Sequence, residues 1–252
     1  TDTTNVQVAI KDSGKAYVST VFWNGLKLIY ELWISEININ TGINVDNVKM
    51  TSDASTYPPE GPQIAMDRQG DAIVVWQESV GGKNRICLNE FRGTAWSVLP
   101  DSPPNTINFD SGEFSGAYLP QVAMSSSGSA IITWRQDDST GMPHIFYSLY
   151  NGIGWDHPAS ASDNRLDQAA LGENGGTDPQ VAMDSKGDAV AVWTRQIGGW
   201  FKIQKAELRN GTWVFPGLLD HIDPAGTVST NPRVAMGGDD AVIAWRQLSL
   251  GW

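Results

Sequence analysis

Pro179-Gln180-Val181-Ala182-Met183-Asp184-Ser185-Lys186-Gly187-Asp188-Ala189-Val190-Ala191-Val192-Trp193 decides the architecture of this 252-residue chain. Gln180 to Met183 reads as a short strand, Asp184 to Asp188 carries the turn chemistry of a tight hairpin, and residues 189–196 form the returning strand. The segment recurs. Pro62-Gln63-Ile64-Ala65-Met66-Asp67, Pro120-Gln121-Val122-Ala123-Met124 and Pro232-Arg233-Val234-Ala235-Met236 are further copies, and Val6-Gln7-Val8-Ala9-Ile10 is a worn one. The four clear copies each lead into an alanine-headed apolar run, Ala72 to Trp76, Ala130 to Trp134, Ala189 to Trp193 and Ala241 to Trp245. The copies start 56, 58, 59 and 53 residues apart from Gln7 onward, a period too long for most helical repeats.

Working outward from the hairpin, residues 202–208 alternate as a third strand, and Trp213 to Leu218 supplies a fourth. A second tryptophan marks this fourth strand at Trp96, Trp155 and Trp213, each after a glycine turn. Four antiparallel strands repeated about an axis describe an all-β fold, a β-propeller of four-stranded blades. The repeats run over about 5–60, 61–118, 119–177, 178–230 and, incompletely, 231–252, and the whole chain reads as one propeller domain. One helical turn near Leu166 to Leu171 is the sole competing pattern. In this register the fifth repeat stops before its third strand, which predicts completion of the last blade by further sequence or by another chain.

The Pro-Gln-Val-Ala-Met-Asp and Gly-x-Ala-x-x-x-Trp pattern resembles the repeats of secreted bacterial β-propellers. The Gly-x-Trp turns resemble a worn Asp-box of the sialidase superfamily, without the serine and aspartate that begin a true one. That resemblance implies a bacterial protein, secreted or at the cell surface. The chain starts on Thr1 rather than methionine and has a single cysteine, Cys87, which agrees with that location.

Composition narrows the chemistry. A net charge of −11 repels phosphate backbones and anionic headgroups, and no apolar run is long enough to span a membrane as a helix. Nucleic-acid binding and membrane insertion are therefore not expected. One cysteine and three scattered histidines offer no zinc site, and no nucleophile elbow or phosphate-binding glycine loop is present. No cofactor is expected, with calcium left open by the acidic long loops that carry Asp101, Asp110, Glu113, Asp163, Asp167, Glu173 and Asp178.

In a propeller the loops from strand two to three and from strand four to the next blade share one face. The polar residues that follow the strand-two tryptophans point there: Gln77-Glu78, Arg135-Gln136, Thr194-Arg195 and Arg246-Gln247. Arg135, Gln136, Arg195 and Arg246 form one candidate set, since converging guanidinium groups can hold a carboxylate through paired donors. Arg195, however, sits one residue later than the other two arginines. Trp200 and Trp252 occupy equivalent loop positions, where an exposed indole can stack on a sugar ring. The reading this favours is a non-catalytic, lectin-like module or scaffold that binds a glycan or a protein partner through the loop face. The alternative is a sialidase-like glycoside hydrolase using Glu78 and Asp137, since such chemistry needs two converging carboxyl groups.

Overall fold

The computed structural model describes residues 4–11, 13–27, 29–51, 57–97, 105–109, 114–170 and 172–249, and every regular element among them is a strand. The first sheet contains β1 (Thr4–Lys11), β2 (Lys15–Asn24), β3 (Ile29–Asn38) and β4 (Ile43–Lys49) in sequence order. The second contains β5 (Glu60–Met66), β6 (Ala72–Val80), β7 (Lys83–Arg92) and β8 (Ala95–Trp96), with β9 (Asn105–Thr106) also on β7. The third is built from β10 (Phe114–Met124), β11 (Ala130–Asp138), β12 (Pro143–Tyr150) and β13 (Trp155–Asp156). The fourth is built from β14 (Thr177–Met183), β15 (Ala189–Ile197), β16 (Trp200–Arg209) and β17 (Thr212–Val214). Last come β18 (Thr227–Gly237) and β19 (Asp240–Ser249), paired as a two-stranded sheet. All pairings are antiparallel, and the first strands of successive blades, β1, β5, β10, β14 and β18, lie side by side.

The repeat exists because one blade cannot bury its own faces. At every junction the residue after the strand-two alanine, Tyr17, Ile73, Ile131 or Val190, packs against the next blade's first strand. The partners there are Ile64 and Met66, Val122 and Met124, Val181 and Met183, or Val234 and Met236. Trp76, Trp134 and Trp193 are fully buried at these junctions, where a side chain of this kind contributes about 1.5–3 kcal/mol. The fourth-strand tryptophans reach back one blade: Trp96 lies edge-on to Tyr17, the Trp155 indole donates to Glu90, and Trp213 packs on Tyr147.

Two recurrent devices were hidden in the loops. The first strands of the second to fifth blades each carry an irregularity just before their proline, where Gly61, Leu119, Asp178 and Asn231 adopt positive φ. Each third strand is pinned by a segment arriving after strand four. Met50, Ile107, Leu166 and Ile222 donate to the carbonyls of Leu32, Ile86, Ile145 and Ile203. The next side chain, Thr51, Asn108, Asp167 or Asp223, accepts the N–H of the same strand residue. The expected helical turn near Leu166 is such a latch instead, because its backbone groups bond to β12 rather than to one another. The expected aspartate turns are present: Asp67 accepts from Gly70 and Asp71, and Asp184 from Lys186 and Asp188.

Candidate functional site

Strand register places four residue pairs at one position on the loop face: Glu60 with Gln77, Tyr118 with Arg135, Thr177 with Thr194, and Thr230 with Arg246. Arg135 and Arg246 therefore share a register, and Arg195 does not. Arg135 is committed to Asp137 through two hydrogen bonds of 2.6 and 2.9 Å, and its guanidinium lies 5.5 Å from the Tyr118 ring. Arg246 is exposed. Arg195 turns to the opposite face of its strand and is buried against the third blade, where it donates to the Asp167 carbonyl. Burial pulls its pKa below the usual arginine value, partly offset by Asp167 and Glu173.

The remaining candidates divide by burial. Gln136 is buried, accepting the Trp134 indole at 3.2 Å and donating to the Phe109 carbonyl, so both ends of its amide are occupied. Trp200 opens β16 opposite Ile197 and is 47% exposed. Trp252 lies outside the described residues, as do Asp101, Asp110 and Glu113. Among the described residues no three acidic, histidine or cysteine side chains converge as a metal cage. The Asp167 carboxylate accepts from Ile145 and Ala169 and meets buried His144 at 3.2 Å, and His144 in turn faces Asp138 at 3.4 Å. Burial alone would raise the Asp138 carboxyl. The Thr140 hydroxyl and the N–H groups of Gly172, Met142 and Thr140 outweigh it and hold the group well below the usual carboxylate range.

Glu78 joins an open cavity. At the loop end of the second blade, a space of about 330 Å³ is lined by Tyr57, Pro58, Glu60, Gln77, Glu78, Ser79, Gly82 and Asn84. Glu78 is 2% exposed, and its Oε2 accepts the Trp76 indole at 2.7 Å, which fixes the carboxylate. Glu60, at the start of β5, is exposed, and its Oε2 accepts the Gln77 amide at 3.0 Å. Glu60, Gln77, Glu78 and Tyr57 thus border one concave surface, Glu60 and Gln77 on one face of the sheet and Glu78 on the other, and carboxyl groups at such a surface can serve as acid or base toward a polyhydroxylated substrate. Glu60 and Tyr57 went unnoticed in the sequence because their short segment, Tyr57-Pro58-Pro59-Glu60, carries no recurrent signature. Asp137, the expected companion of Glu78, is on another blade and held by Arg135.

No protein-family model matches the chain, and no curated protein matches it. Solved structures do. A Hadza microbial sialidase superposes with a TM-score of 0.57 at 14% identity, over 91% of this chain and 50% of its own. An ulvan lyase of polysaccharide lyase family 25 gives 0.57 at 12% identity, over 96% and 66%. The family 93 α-L-arabinofuranosidase of Fusarium graminearum gives 0.51 at 11% identity, over 98% and 83%. The chain thus spans half the length of the sialidase and about two thirds of the lyase. The fold is the all-β propeller type, distantly similar to these proteins. The expectation of a non-catalytic module is corrected on this finding, because these three similar structures are of a sialidase, a polysaccharide lyase and an arabinofuranosidase.

Proposed function

We propose that this propeller cleaves glycans as a glycoside hydrolase, working at the cavity of the second blade with Glu60 and Glu78 as its carboxyl pair. The observation that carries the reading is that both glutamates border one cavity at the loop end of the second blade, each accepting a hydrogen bond from its own blade. Glycoside hydrolysis divides its work between two such groups: one protonates the departing oxygen, while the other attacks the anomeric carbon or activates water. Gln77 and Tyr57 supply neutral polar contacts for sugar hydroxyls beside them. The glycan-acting neighbours support the substrate class, and an extracytoplasmic location suits a polymeric glycan.

The test is release of reducing sugar from α-sialosides, arabinan and uronate-containing polysaccharides, with unsaturated-product absorbance separating lyase from hydrolase action. Glu60→Gln and Glu78→Gln are expected each to lower kcat by about 10²–10⁴-fold with the circular dichroism spectrum retained. Unchanged turnover in both variants, or no cleavage by the wild type, would defeat the reading.

A further inference from the structure

Strand register sets one cross-strand pair of each of the first four blades at the same place on the loop face, seven residues after the strand-two alanine. These pairs are Trp23 with Tyr30, Ser79 with Asn84, Asp137 with Pro143, and Gln196 with Phe201. Two residues nearer the core, the same positions on β3, β7, β12 and β16 hold Leu32, Ile86, Ile145 and Ile203, all fully buried. The outer pair changes chemistry from blade to blade while the inner one does not, so packing does not dictate it. In the second blade the outer pair, Ser79 and Asn84, lines the cavity.

In the first blade this position is aromatic. The Trp23 and Tyr30 rings lie 4.9 Å apart and are inclined at 57°, with Trp23 half-buried and Tyr30 36% exposed. They stand on the side of their sheet where Val21 and Leu32 are buried in one cluster with Trp76, so they face the second blade and not the open side of the first. Glu78 stands two residues beyond Trp76 on the side of β6 turned toward them, and it and the aromatic pair therefore flank the loop end of one junction. The hairpin tip fixes the pair. Asn24 Oδ1 accepts the N–H groups of Leu26 and Lys27 at 3.1 and 3.3 Å, and Asn24 Nδ2 donates to Glu31 at 3.1 Å.

We infer that Trp23 and Tyr30 form a stacking platform for one sugar residue of a glycan chain that continues into the second-blade cavity. The inference rests on the glycan-cleaving reading for its ligand class and extends that site across the first junction. Two inclined rings present an apolar corner that takes the C–H face of a sugar ring, with the Tyr30 phenol at its edge. Glu60, Gln77 and Asn84 offer polar groups for hydroxyls in the adjoining cavity. A saccharide chain carries both kinds of surface, apolar ring faces and hydroxylated edges, and the loop face sets the matching surfaces side by side. The rings lie beyond the buried cluster, so replacing them leaves the junction packed.

Affinity electrophoresis through gels containing arabinan, polygalacturonate or polysialic acid tests this apart from catalysis. The wild type is expected to be retarded by one of them. Trp23→Ala and Tyr30→Ala are each expected to raise the dissociation constant read from that retardation by about tenfold, with unchanged far-ultraviolet spectra. Trp23→Phe, which keeps a ring, and Glu78→Gln, which keeps the platform, are expected to bind within about threefold of the wild type. Retardation without any sugar release would end the hydrolase reading and leave the platform standing. A wild type retarded by none of the three polysaccharides would overturn the platform. So would a Trp23→Ala protein that binds as the wild type does, which would leave the rings to a protein partner, or a loss of binding as large in Trp23→Phe as in Trp23→Ala.

Discussion

At the scale of single residues, the junction tryptophans show how a repeat tolerates exceptions. Trp76, Trp134 and Trp245 each donate the indole N–H to the residue two positions on, Glu78, Gln136 or Gln247. In the fourth blade that position is Arg195, a donor. Trp193 Nε1 and Arg195 Nε are accordingly both buried without a partner. The backbone closes over the indole there, since a Cβ on Gly176 would lie 2.2 Å from Trp193 Cδ1, and Gly176 itself sits at a φ of +143° that other residues rarely adopt. Arg195→Gln supplies the acceptor the other blades use and removes one orphaned donor. It is expected to stabilise by about 1 kcal/mol, raising Tm by about 2–4 °C in a chain of this size, as calorimetry would register. A lowered Tm would mean that the bond from Arg195 to the Asp167 carbonyl outweighs both orphans.

At the scale of elements, the latches explain how fourth strands of two or three residues stay attached. In the fourth blade, Asp223 accepts from the Ile203 N–H, from Ser229 and from the Lys202 ammonium at 3.1 Å, with both charged groups almost wholly buried. Burial alone would raise the Asp223 carboxyl, but these donors hold it below the usual carboxylate range. A carboxylate so depressed contributes stability that is complete above its unfolded value near 3.9 and is lost as pH falls through the folded value. Asp223→Asn keeps an acceptor for Ile203 and leaves Lys202 without its counter-charge. The expected cost is about 3–5 kcal/mol in urea unfolding at neutral pH, shrinking as the medium becomes more acidic than about pH 4. Little of this was legible beforehand. The pairs Met50-Thr51, Ile107-Asn108, Leu166-Asp167 and Ile222-Asp223 share only an apolar residue followed by a polar one, in loops of unlike composition.

At the scale of the whole molecule, stability runs along the array from junction to junction, as in other repeat proteins. The second strands β6, β11 and β15 are buried on both faces, whereas β4 is largely exposed. Hydrogen exchange read by mass spectrometry is expected to be slowest in β6, β11 and β15 and fastest in β4, with β19 exchanging well ahead of the other second strands because its outer face is open. Equal protection across β6 and β19 in a dilute sample would contradict that gradient. The sequence by itself determined the hairpins, the period and the propeller class, because a strand that must bury both faces repeats the same apolar spacing wherever it occurs. Only the tertiary structure decided which polar groups meet. The pairing of β5 with β6 sets Glu60 beside Gln77 while Glu78 borders the same cavity from the other face of the strand, and Arg195 is carried away from Arg135 and Arg246 by a one-residue step that sends a strand side chain to the opposite face. Packing leaves a periodic trace in a chain, whereas a site is assembled once, from residues that need no spacing in common.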